Sequence, residues 1–250
     1  MDHDLKGRTA LVTGSTAGIG AAIARALAAE GVHVVVSGRD TARGDAAVAE
    51  IRADGGAADF VRADLAGGEE AVAALADRTV ALLGTPDILV NNAAMLLMPR
   101  PTADLTEAGV AAAFAVSVIA PMLLTGRLAP AMAARGSGAI INLGSINAVT
   151  GMPGSAVYSA TKAAAHSLTR SWAAEYGPSG VRVNTVAPGP TSTERNERIR
   201  DLLDGMVAGI PSRRLSTPAE VASAVVFLAG SAAANVHGTV LAVDGGFTIT

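Results

Sequence analysis

The chain has 250 residues, half of them hydrophobic and 16% charged, with a formal net charge of -3 and no cysteine. It is long enough to bury a large core as one domain over 1–250. Its composition excludes a disordered chain, a disulfide scaffold and any thiolate metal site. There is no basic block, so no nucleic-acid partner is expected.

The first residues, MDHDLKGRTALVTG, are acidic and then apolar, unlike the basic start of a signal peptide. Residues 9–14 (TALVTG) open a series of short β-branched runs that returns at 32–37, 58–63, 87–92, 138–145, 181–187 and 239–245. These runs are too continuously apolar for a sheet with one wet face, and a parallel sheet covered by helices on both faces explains them. Helical spacing fills 20–31, 44–56 and 69–84 between them, with Gly31 and Gly84 where helix ends need glycine. The alternation predicts βαβ units with right-handed crossovers. The expected fold is α/β, a single-domain doubly wound Rossmann fold with a parallel sheet of about seven strands.

Between the first strand and first helix, Gly14, Gly18 and Gly20 stand in G-x-x-x-G-x-G spacing. Glycines let the backbone approach a phosphate, and the helix N-terminus behind them offers free N–H groups and a positive dipole end. A tight βα turn without a ligand uses the same residues. A P-loop is excluded, because no Gly-Lys-Ser/Thr follows. Farther on, the apolar run 110–124 is shorter than a membrane span and contains Ser117 and Pro121. It reads as a helix buried on several sides, and the chain as soluble and cytoplasmic with no membrane partner. The strand at 138–145 ends on Ser145, at the C-terminal edge where α/β sites lie. Its hydroxyl can bond an oxygen that gains charge during reaction, or belong to an ordinary turn.

The next helix carries one of two tyrosines, Tyr158, and one of two lysines, Lys162, in a chain with 17 arginines. Residues four apart share a helix face. An ammonium there favours a phenolate, and so makes a tyrosine usable as a general acid or base. A chance pair on a wet face is the alternative. The four histidines show no metal-binding spacing, and His166, one turn beyond Lys162, suits packing.

Taken in order, TGSTAGIG (13–20), Asp64 in AD, NNAA (91–94), Ser145 with Tyr158 and Lys162 in Y-x-x-x-K spacing, PGPTST (188–193) and VDGG (243–246) resemble the short-chain dehydrogenase/reductase family from end to end. The likeness is to its 3-oxoacyl-reductase side. It implies hydride transfer between a nicotinamide cofactor and a small carbonyl or alcohol substrate. By resemblance, Tyr158 would be the general acid/base, Lys162 would hold the nicotinamide ribose and tune Tyr158, and Ser145 would orient the substrate. Gly14, Ser15, Thr16, Gly18, Ile19 and Gly20 would cradle the cofactor. Asp64 and Leu65 would face its adenine, Asn91 and Ala93 would line its path, and Pro188, Gly189, Thr191 and Thr193 would hold its nicotinamide end. Residues 192–214 look like the family's substrate lid. The family also implies a homotetramer, or a homodimer, through helices around 107–134 and 155–177 and the last strand. Two departures stand out. Ala94 replaces the family's glycine in NNAG, in what is expected to be a tight place. Ser117 replaces the family's asparagine in a water-linked proton relay, and is kept with the catalytic residues.

Cofactor choice rests on VVVSGRD (34–40). An acidic residue at the end of the second strand accepts ribose hydroxyls and repels a 2′-phosphate. Gly38 falls there, uncharged and leaving space. Arg39 follows, with the charge and fork that suit phosphate. Asp40 either takes the acidic role or caps the next helix, and Ala17 supplies no second cation. NADP(H) is therefore expected over NAD(H). The competing function is an idle cofactor-binding redox sensor, which has no need of Ser145, Tyr158 and Lys162. An adenosyl-dependent methyltransferase fails on VYSATK and NNAA. Met95, Leu96, Leu97, Met98 and Met152 either line a substrate pocket or fill the core.

Overall fold

The computed structural model describes residues 3–95, 97–194 and 200–249. Its strands are β1 (Thr9–Thr13), β2 (His33–Gly38), β3 (Ala57–Arg62), β4 (Ile88–Asn91), β5 (Gly138–Leu143), β6 (Val181–Pro188) and β7 (Val240–Val243). All pair in parallel in the order β3-β2-β1-β4-β5-β6-β7. Every strand expected from the sequence is present, with slightly different ends. The chain moves outward from β1 through β2 and β3, then returns to build the other half from β4. That reversal opens a crevice at the C-terminal ends of β1 and β4, the place where ligands bind in open α/β sheets.

The period-2 pleat explains why the strands read as unbroken apolar runs. Ala10 and Val12 join one core layer, and Leu11 between them joins the other. The first layer packs under α1 (Gly18–Ala29), α2 (Thr41–Ala53) and α8 (Pro218–Ala229). The second packs under α3 (Gly68–Leu83), α5 (Ala120–Arg135) and α6 (Ala156–Tyr176). Fully buried Leu11, Ile23, Leu27, Leu89, Ile140 and Ile141 anchor both layers, each contributing about 1.5–3 kcal/mol of transfer free energy. Local signals start the helices. The Asp40 carboxylate accepts the Arg43 N–H to cap α2, and Thr217 and Glu220 form a reciprocal capping box on α8.

Helix α4 (Glu107–Phe114) continues into α5 through a π turn, Ala115–Ile119. The resulting 29-residue stretch, Glu107–Arg135, is long and apolar enough to cross a membrane by length and composition. This corrects the reading of 110–124 as too short for one. In this fold Ala120, Leu124, Leu128 and Met132 pack into the sheet layer. The helix is also not buried on several sides: Ile119 and Met122 are about half exposed. Helix α7 (Arg200–Val207) lies within the expected lid. Residues 195–199 of that segment fall outside the described residues, as does Leu96.

Candidate active site

The glycine turn is fixed from several directions. Gly14 takes φ +63°, and a Cβ there would lie 2.9 Å from the Ala93 Cα. A Cβ on Gly20 would lie 2.3 Å from the Gly14 carbonyl oxygen and 2.4 Å from the Asn92 Nδ2. Backbone therefore meets backbone at both positions, and only glycine fits without displacement. The Asn92 side-chain amide donates to the carbonyls of Thr13 (2.8 Å) and Gly14 (2.9 Å). The Thr13 hydroxyl accepts the N–H groups of Asn92 and Ala93. Ser15 is completely buried, its hydroxyl donating to Val12 O and accepting the Ser37 N–H, so its side chain staples β1 to β2. Helix α1 begins at Ala17, which lacks a capping side chain, with no acidic residue in the first turn. Its first N–H groups are left for an anion. A Cβ on Gly18 would lie 3.8 Å from Thr193 Cγ2, and Ile19 leans on the first core layer.

Ala94 is half-buried and is not among the positive-φ residues, and beside it a Cβ on Gly14 would approach the Ala93 Cα. The departure from the family's glycine costs no backbone strain.

At the other end of the crevice, Ser145 is buried in extended conformation and caps the turn Ile146–Ala148, accepting the Asn147 N–H at 3.2 Å. Helix α6 packs on that turn. It carries Tyr158, half-buried, and Lys162, buried one turn later. The Lys162 ammonium donates to Leu143 O at 2.6 Å and lies 5.7 Å from the Tyr158 ring centre, within cation–π reach. Burial lowers its pKa from 10.5 to about 8, so it stays predominantly charged at neutral pH. His166 packs under the backbone of Gly144, where a Cβ would come within 2.3 Å of Nε2. Burial first, then the charges of Lys162 and Arg170, push its pKa down to about 4. It is neutral at pH 7, and packing is its role.

Behind Lys162 lies a small cavity of about 10 Å³, lined in part by Asn91, Ser117, Asn142 and Lys162. That is about the size of one water molecule. Asn91 Oδ1 is buried there and makes no hydrogen bond. The Ser117 hydroxyl accepts the Met95 N–H at 3.2 Å from the π turn, a helix irregularity frequent at functional sites. From the cavity wall, a polar ladder crosses the sheet. Asn91 Nδ2 donates to Asn142 Oδ1 (2.9 Å), Asn142 Nδ2 donates to the Thr169 hydroxyl (2.8 Å), and Thr169 and Thr185 share a 2.6 Å bond. Sequence reasoning named neither this ladder nor the Asn92 clamp. A polar Asn142 inside the apolar run AIINL was the available signal, because a buried amide needs partners.

The structure thus gathers Ser145, Tyr158, Lys162 and Ser117 at the ends of β4 and β5, and the glycine turn at the end of β1. Pro188 ends β6, and Gly189 lies against Asp244, where a Cβ would approach its Cα to 2.7 Å. Thr191 is buried and bonds the Gly189 carbonyl. Other positions differ from the expected arrangement. The Asn91 side chain turns into the small cavity and the ladder. Leu65 sends its side chain into the second core layer, while Asp64 caps its own turn through the Ala66 N–H. The space above Gly38 is filled by Thr16: a Cβ on Gly38 would lie 2.6 Å from Thr16 Cγ2 and 2.9 Å from its hydroxyl. Among the described residues, no cluster of His, Asp or Glu could hold a metal.

Residues 14–248 match a family model described as enoyl-(acyl carrier protein) reductase. The chain is 43% identical, over 96% of both sequences, to cis-4-hydroxycyclohexanecarboxylate dehydrogenase of Sinomonas cyclohexanicum. A solved structure titled short chain dehydrogenase/reductase family protein is 47% identical, with a TM-score of 0.89 and full coverage of both chains. A 3-oxoacyl (acyl-carrier-protein) reductase from Agrobacterium tumefaciens C58, solved with NADP bound, is 36% identical with a TM-score of 0.91 over 97% of this chain and 95% of that one. The chain belongs to the short-chain dehydrogenase/reductase family. It is an NAD(P)-dependent enzyme acting on secondary alcohol and carbonyl groups.

Proposed function

We propose that this enzyme interconverts alicyclic secondary alcohols and their ketones, using NADP(H), with Tyr158 as general acid/base. The observation that carries the proton chemistry is the buried Lys162 ammonium, tied to Leu143 O and 5.7 Å from the Tyr158 ring. A fixed positive charge favours the phenolate, so Tyr158 can take the hydroxyl proton of an alcohol and return it to a ketone oxygen. Ser145, held by its turn, orients that oxygen with its hydroxyl. The bound nicotinamide supplies the hydride acceptor in oxidation and the donor in reduction. The residues present fit such a cofactor: an uncapped helix N-terminus, a cradle that only glycine can form, and an end of β2 without a carboxylate. Asp40, the alternative acidic residue, is engaged as a helix cap, which supports NADP(H).

The mouth of the site supports the substrate class. The loops after β4 and β5 are pinned together by the Arg100 N–H to the Gly154 carbonyl (2.9 Å). They expose Met95, Met98 and Val149, an apolar rim for a ring. The relative from Sinomonas is named for a ring alcohol. A homotetramer is also proposed, and the exposed Ile119 and Met122 support a covered face on α5. The test is a panel of cyclohexanol, cyclopentanol, 4-hydroxycyclohexanecarboxylate, galactitol and a 3-oxoacyl thioester, with each cofactor, followed by the absorbance of reduced nicotinamide. Ring alcohols with NADP⁺ are expected to give the highest kcat/KM. Turnover confined to galactitol or the thioester would overturn the substrate class.

A further inference from the structure

The end of the sheet at β2 and β3 carries a second cation that the order of residues conceals. Arg39 follows Gly38 at the end of β2, and Arg62 is the last residue of β3, in register with Gly38. The Arg62 Nε donates to the Arg39 carbonyl at 3.1 Å, which lays its guanidinium against the Arg39 peptide. Both side chains are exposed, and neither forms an ion pair among the described residues. Arg43, one turn into α2, differs: Asp40 and Glu194 each lie 3.9 Å from its guanidinium. The two carboxylates closest in sequence are held by backbone, Asp40 by the Arg43 N–H and Asp64 by the Ala66 N–H. Between them, a carboxylate at position 38 is excluded unless Thr16 moves. The strand end beside Thr16 therefore presents two arginines, while Asp40 and Asp64 each accept a backbone N–H of their own turn.

We propose that Arg62 is a specificity-determining residue that, together with Arg39, binds the 2′-phosphate of the adenosine half of the cofactor. This rests on the NADP(H) reading above and deepens it. With Nε committed to the Arg39 carbonyl, both terminal nitrogens of Arg62 remain as donors. A phosphate monoester is a dianion with three acceptor oxygens, and two guanidinium forks match it better than one. Because Nε is anchored, less rotamer freedom is lost on binding than for a free surface arginine.

The test is calorimetric and needs no turnover. Wild type, Arg62→Met, Arg62→Lys and Arg39→Ala are titrated with adenosine 2′,5′-bisphosphate and with 5′-AMP, and their melting midpoints are compared as a check on folding. Wild type is expected to prefer the bisphosphate. Arg62→Met should weaken bisphosphate binding about tenfold or more, the size of a lost charge-assisted bond, with 5′-AMP unchanged. Arg62→Lys should recover part of the loss, since it keeps the charge but not the fork. Equal weakening toward both ligands would mean that Arg62 only props the Arg39 loop, and overturns the proposal. So would an unaffected Arg62→Met beside an Arg39→Ala that loses the preference. A wild type with no preference for the 2′-phosphate overturns the NADP(H) reading itself.

Discussion

The two ends of the crevice are built in opposite ways. At the end where proton transfer is proposed, Ser145, Lys162 and Ser117 are buried, each is bonded to main chain, and the polar ladder from Asn91 to Thr185 lies directly behind them. At the end proposed for the adenosine half of the cofactor, Arg39 and Arg62 are exposed, and one bond to a backbone carbonyl is the hold on either guanidinium among the described residues. Reaction chemistry needs groups that do not reorganise as charge develops. Distinguishing two cofactors needs only a charge within reach of a phosphate. On the proposed reading, the first demand fixes many residues at once, and the second is met by side chains that touch little else, so cofactor specificity would be easier to alter than the chemistry.

The contrast breaks most sharply at Tyr158. Tyr158→Phe removes one hydroxyl from the catalytic end and is expected to lower kcat by about 10²–10⁴, with cofactor Kd and melting midpoint nearly unchanged. Turnover near the wild-type rate would remove Tyr158 from the proton path.

A smaller effect reads the burial behind the site. His166 titrates near 4 in the folded protein, against 6.5 when free. Between those values the unfolded chain binds a proton that the native chain does not, so stability falls as pH falls through this window. The contribution is about 2–3 kcal/mol at pH 4.5 relative to pH 7. Urea unfolding at both pH values should show a steeper acid loss for wild type than for His166→Gln. Equal losses would mean that the imidazole is not shielded as described.

The smallest expected change is at Ser117. Ser117→Asn adds an amide beside a cavity that holds about one water, and the enzyme is expected to remain active, with kcat changed by no more than about threefold, within the net worth of one hydrogen bond. A folded but inactive variant would show that the π turn packs too tightly to take the longer side chain, and that the relay of related enzymes does not transfer.

Much of this was legible because the signals are local. Short, continuously apolar β-branched runs announced the seven strands, three glycines announced the turn after β1, and the spacing of Tyr158 and Lys162 placed both on one face of α6. The Asp40 cap was readable for the same reason, since its partner is three residues away. Where a local signal misled, a neighbour distant in sequence was responsible. Gly38 looked like open space, but the pairing of β1 with β2 brings Thr16 over it. The 110–124 run looked short because the helix continues beyond its apolar ends, from Glu107 to Arg135, through residues of mixed polarity.

The order of residues by itself determined the sheet, the glycine turn after β1 and the placing of Tyr158 and Lys162 on one helix face, because each depends on propensity, pleat or helical spacing over a few residues. Only the tertiary structure decided which second cation stands beside Arg39, which amide clamps Gly14, and which hydroxyls complete the ladder behind Lys162. Those contacts span 23 residues from Arg62 to Arg39 and 78 from Asn92 to Gly14. They follow from strand order and register, and register is set by how whole strands pack their buried faces against one another.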